Sequence, residues 1–112
     1  MNSLFSNAKI KNITFNGLNT SNITDFRFMF KGATIENLDI TNLNTSKGKY
    51  FEGMFANYSS SASILNLSNM VVTNAEDNGS REEYAFAEMF MGANMPNAYV
   101  TLPNLGSGKS DN

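Results

Sequence analysis

The sequence predicts an α/β repeat protein, a short right-handed solenoid in which a parallel β-sheet of about four short strands is backed by short helices or 3-10 segments. Three observations lead to this. The chain matches itself when displaced by 25 residues, each copy opens on an apolar-polar-apolar alternation, and each copy closes on a Met-Phe pair set at helical spacing.

Displacement by 25 residues lays "ITFNGLNTSNITDFRFMFKGA" (13 to 33) over "LDITNLNTSKGKYFEGMFANY" (38 to 58). Leu18 then falls on Leu43, Asn19-Thr20-Ser21 on Asn44-Thr45-Ser46, and Met29-Phe30 on Met54-Phe55. The same shift lays "LFSNA" (4 to 8) over "MFKGA" (29 to 33) and Ile10 on Ile35, so the chain begins inside a unit. A third copy opens at "LNLSNMVVTN" (65 to 74) and closes at "YAFAEMFMGA" (84 to 93), and "VTLPNL" (100 to 105) supplies one more opening. Leu38 to Leu65 is 27 residues and Leu65 to Val100 is 35, so the third copy carries an insertion near 74–82. A period of this length with a two-beat apolar opening is the signature of the leucine-rich-repeat type of solenoid. The expected organisation is one domain over 1–105, with units at roughly 13–37, 38–64 and 65–99 and a partial unit at each end. Residues 106–112 form a flexible tail.

Each opening reads as a short strand with one buried face: Ile13-Thr14-Phe15, Leu38-Asp39-Ile40, Leu65-Asn66-Leu67 and Val100-Thr101-Leu102. The polar middle residues Thr14, Asp39, Asn66 and Thr101 would line up on the exposed sheet face, a ready surface for a ligand. The closing segments change period. Ile23, Phe26, Met29 and Phe30 fall on one face of a short helix or 3-10 segment, as do Phe51, Met54 and Phe55, and Phe86, Met89 and Phe90. Such a Met and aromatic stripe is core packing rather than a cofactor site.

Composition bounds the function. Charged residues make up 16% of the chain, below the usual ~25%, and 18 of the 112 residues are Asn, so exposed turns are built from short neutral hydrogen-bonding side chains. A net charge of −2 offers no basic footprint for nucleic acid. With no Cys and no His, disulfides, thiolate metal sites and Ser-His or Cys-His nucleophile pairs are impossible. No stretch reaches the roughly 18 to 20 apolar residues of a membrane span. An enzyme is therefore not expected, nor is a cofactor. The tail "GSGKS" (106 to 110) imitates part of a phosphate loop, but Pro103 stands where the first Gly belongs. "NAEDNG" (74 to 79) imitates half a calcium loop, yet Ala85 occupies the position of the bidentate Glu. Both read as solvated loops.

Charge is uneven along the chain. Residues 1–56 carry +2 and residues 57–112 carry −4, with Glu76, Asp77, Glu82, Glu83 and Glu88 clustered in and after the insertion. Insertions in repeat proteins map to loops and often to the binding side, so "NAEDNGSREEY" is expected to touch a basic partner, with Arg81 and Tyr84 as further contacts. Apolar residues at the unpaired ends, Leu4, Phe5 and Ile10 at one and Val100, Leu102 and Leu105 at the other, make self-association through the ends a second expectation.

"LDITNLNTSKGKYFEGMF" and "LNTSNITDFRFMFKGA" closely resemble the BspA-like leucine-rich repeats of the DUF285 class, over roughly residues 4 to 105. The resemblance implies a surface-type recognition or adhesion module that binds host proteins, without catalytic residues. Family members are usually long arrays behind an export signal, whereas this chain has three full units and an irregular third. The alternative is a small stand-alone inhibitor of phage or mobile-element type, such as an anti-CRISPR or other anti-defence protein, whose acidic loop blocks the basic nucleic-acid channel of a host nuclease. A complete natural chain of this sequence is expected in the cytoplasm, and an excised repeat fragment at the cell surface or secreted.

Overall fold

The 25-residue displacement is a physical register. β1 (Lys9–Ile13) and β2 (Thr34–Leu38) pair in parallel, with Ile10 opposite Ile35 and Ile13 opposite Leu38. β3 (Ile64–Asn66) and β4 (Tyr99–Thr101) pair in the same sense, with Leu65 opposite Val100. The computed structural model describes residues 2–76 and 86–103.

Two expectations are corrected here. The single four-stranded sheet backed by helices, and the leucine-rich-repeat solenoid drawn from it, is not what the chain forms: among the described residues there are two separate two-stranded parallel sheets and no helix. The division follows from the spacing. Thr34 bridges Ser59 and Ser59 bridges Asn94, but two extra residues then precede Leu65, so β3 cannot continue the register of β2. The strands are also displaced. β1 and β2 end at Ile13 and Leu38, so Thr14-Phe15 and Asp39-Ile40 lie beyond them, leading into the turns at Asn16-Gly17 and Thr41-Asn42. At Asp39 the cause is visible, since Oδ1 accepts the backbone N–H of Thr41 at 2.9 Å and its hydroxyl as well, an Asx turn that bends the chain.

The Met-Phe segments are successive tight turns. Their amides donate across to the next repeat at alternate residues: Phe26 to Tyr50 O at 2.8 Å, Phe28 to Glu52 O at 3.0 Å, Phe30 to Met54 O at 2.9 Å and Gly32 to Ala56 O at 2.8 Å. The next rung repeats the pattern, with Gly53 to Ala87 O, Phe55 to Met89 O and Asn57 to Met91 O, each at 2.8 Å. Amides spent between repeats cannot also close a helix onto the residue four back. Left-handed residues break the helix a second time, at Ser3, Phe28, Gly53 and Glu88 and again at Asn7, Gly32, Asn57 and Gly92, two per repeat.

The apolar residues of these turns form columns through the core. Phe5, Phe30, Phe55 and Phe90 stack face to face, with ring centroids 5.8, 5.3 and 5.6 Å apart, and Phe26, Phe51 and Phe86 stack at 5.4 and 5.7 Å. Phe15 closes the first column edge-on against Phe5 and Phe30, and Tyr58 meets Phe55 in the same way. Met29, Met54 and the rings of Phe26, Phe30, Phe51 and Phe55 are fully buried. Each such side chain contributes about 1.5–3 kcal/mol by burial, and each ring pair about 0.5–1.5 kcal/mol more.

Candidate functional site

The Asn-Thr-Ser triplet that recurs in the sequence builds one edge of this ladder. In both copies the Asn side chain bends the chain onto the Ser amide, Asn19 Oδ1 accepting from Ser21 at 3.0 Å and Asn44 Oδ1 from Ser46 at 2.9 Å. That turn directs the Thr inward. Thr20 Oγ1 donates to Asn44 O at 3.1 Å and accepts from Asn44 N at 2.8 Å, and Thr45 treats Val71 the same way at 2.9 and 2.8 Å. Both threonines are buried, at 1% exposure, and each hydroxyl ties its repeat to the next. In the repeat after Thr45 the position is Val72, which has no hydroxyl to offer.

With the threonines turned in, the polar residues around them are left outward. Thr41, Asn42, Asn44, Ser46 and Asn69, with Val71, line a shallow open groove over the buried Leu43 and Thr45, about 370 Å³ in volume. Side-chain hydrogen bonds fix its shape. The Asn69 amide donates to Ile40 O at 2.7 Å, the Asn42 amide to Asn16 Oδ1, and the Asn74 amide to Ser46 O at 2.6 Å. Val71 is 42% exposed and supplies the groove's apolar contact. Charged groups on this flank are tied down locally: Arg27 with Asp25, Lys49 with Glu76, the Asp39 carboxylate accepting from Thr41, and Lys47 Nζ donating to Asn22 Oδ1 at 3.1 Å.

The expected surface residues fall into three groups. Thr14, Asp39 and Asn66 are all exposed, and Asn66 reproduces the Asp39 turn by accepting from the Ser68 amide at 3.0 Å and hydroxyl at 2.6 Å. They do not form one continuous row, because Thr14 and Asp39 follow the first sheet while Asn66 pairs with Thr101 in the second. Glu76 is exposed, its amide bonded to Lys49 O at 2.8 Å and its carboxylate 3.5 Å from Lys49 Nζ. Asp77, Arg81, Glu82, Glu83 and Tyr84 lie outside the described residues, as do the tail at 106–112 and residues 77–79 of the calcium-like stretch. Asn42, Asn44, Ser46, Asn69 and Val71 were not among the expected site residues. The signal that points to them is the repeated Asn-Thr-Ser, which marks both the turn and the inward Thr.

Electrostatics set limits on chemistry. Partial burial pushes the Asp25 carboxyl up, but hydrogen bonds from the Arg27 guanidinium and amide and from the Asn2 amide more than offset it and hold the group at about 2. The Thr41 hydroxyl and amide hold Asp39 below the ordinary carboxylate range. Both are ionised at neutral pH and neither is poised to donate a proton. Burial raises the Tyr58 phenol, whose hydroxyl faces Ile35 O at 3.4 Å. Among the described residues no three acidic side chains gather as a metal site, and no helix is long and apolar enough to cross a membrane.

No curated protein and no solved structure matches the chain. A family model described as a Mycoplasma protein of unknown function, DUF285, matches residues 1–101, nearly the whole of the ladder and both sheets. The chain belongs to the DUF285 family.

Proposed function

We propose that the chain is a non-enzymatic module that binds another protein through the groove of Thr41, Asn42, Asn44, Ser46, Asn69 and Val71. The observation that carries this reading is the division of labour within the Asn-Thr-Ser unit. The Thr is spent inside, and neutral donors and acceptors are left outside around an exposed apolar side chain, on a surface already held rigid. A mixed polar and apolar patch on a preorganised backbone suits protein recognition, because few rotamers are lost on binding. The sequence likeness to BspA-like repeats, with their association with adhesion and host-protein binding, supports the same reading.

The test is a comparison of proteins retained by the tagged chain and by the variant Asn42→Arg/Val71→Glu, with Glu36→Arg as a control on β2. We expect a partner retained by the wild type and the control and lost from the groove variant, whose circular dichroism stays unchanged. Equal retention by all three would overturn the groove assignment. A partner lost instead on replacing Glu76, Asp77, Glu82 and Glu83 with Ala would transfer the function to the acidic insertion and favour the inhibitor reading.

A further inference from the structure

We infer that copies of this chain associate head to tail, the first repeat of one copy stacking on the open end of the last repeat of another. At that end Phe90, Ala93, Met95, Val100 and Leu102 line an open, mostly apolar concavity of about 410 Å³. These residues stand at fixed places in the ladder. Phe90 stacks on Phe55, Met95 follows Asn94 in its bridge to Ser59, and Val100 pairs with Leu65. The opposite end of the molecule carries the same columns. Phe5 stacks on Phe30, Ile10 follows Lys9 in its pairing with Thr34, and Ile13 pairs with Leu38. Phe5, Ile10 and Ile13 are only partly buried, and beside them Leu4 is 54% exposed, as Leu102 is 52% exposed at the far end. One end therefore presents what the other end would receive if the register continued.

Backbone and charge select this arrangement over a symmetric one. Among the described residues β1 pairs with β2 alone and β4 with β3 alone, and every strand pairing and isolated bridge is parallel. Placing β1 of one copy beside β4 of another preserves that sense, whereas joining two last repeats would demand an antiparallel pair. Lys9 and Lys11 are exposed on β1, and the charged side chain of residues 86–103 is the exposed Glu88, so head-to-tail contact opposes unlike charge where tail-to-tail contact would oppose like charge. The contact is heterologous, and because each copy keeps one free end the assembly grows in a line.

Sedimentation of the full chain over a range of concentrations tests this. The expected weight-average mass rises from 12.3 kDa past that of two copies as concentration increases, and falls when salt is added. Two variants at exposed end positions, Leu4→Asp and Leu102→Asp, are each expected to remain monomeric with unchanged circular dichroism. Mixed together, they retain one intact donor end and one intact acceptor end, and should form a heterodimer that grows no further. A wild-type chain that stays at 12.3 kDa throughout would overturn the proposal. So would Leu4→Asp forming dimers alone, which would show tail-to-tail contact, or either variant still forming long oligomers.

Discussion

Thr45 shows what one residue does in this molecule. Its hydroxyl both donates to and accepts from the backbone of Val71, in a place with 1% exposure. Thr45→Val keeps the shape and removes the partner, so the partly buried Val71 amide and carbonyl lose the hydroxyl that satisfies them. The expected loss is about 1–3 kcal/mol in denaturant unfolding, against little change for Thr73→Val, an exposed position. Asp25 acts through charge. Its carboxyl is held at about 2, below its ordinary 3.8, so its contribution is present above pH 3.8 and is lost as pH falls toward 2. Since the pair with Arg27 is partly solvated, the contribution is about 1 kcal/mol or less after screening. Asp25→Asn should flatten the acid limb of a stability-against-pH curve by that amount and leave a smaller dependence from the other carboxylates.

At the scale of the element, the turn ladder depends on two left-handed positions in each repeat and on what sits above them. Gly53, at φ 59°, lies under the Phe28 ring, and a Cβ there would come within 2.5 Å of it. Gly32 lies under the Asn7 side chain and Gly92 under that of Asn57, so a bulky or polar residue in one repeat covers a glycine in the next. Gly53→Ala should cost about 1–3 kcal/mol through backbone strain and the clash together. Phe28→Ala in the same chain should recover the clash part of that loss, which a double-mutant cycle would measure as coupling.

The apolar columns were legible in the sequence, because Phe26, Met29 and Phe30 recur with their neighbours in every copy and are buried as that recurrence implies. The helix was not the right element to infer from them. Buried residues three and four apart arise equally from a run of tight turns, and Gly32, Gly53 and Gly92 just beside the Met-Phe pairs are the local cue for turns. Strand position was misread for a similar reason. Alternation at Leu38-Asp39-Ile40 looks like a strand, but Asp39 hydrogen-bonds its own backbone and ends it, leaving the less apolar TIENL as β2. The groove was half legible, since the repeated Asn-Thr-Ser was seen as a match but not as an inward Thr between outward polar residues.

For the whole molecule, order comes from repetition across the ladder rather than from any local element. Strand pairing, amides of the turns, threonine hydroxyls and aromatic columns all join a residue to its counterpart one repeat away. The groove proposed for binding is a consequence of that single arrangement and lies on its flank. The most direct measurement of it is scalar coupling across hydrogen bonds by NMR. The arrangement predicts couplings from the Phe28 amide to the Glu52 carbonyl, from Phe30 to Met54 and from Phe55 to Met89, each one repeat away. Coupling of the Phe30 amide to the carbonyl of Phe26 instead would show a helix in the Met-Phe segment and contradict the account.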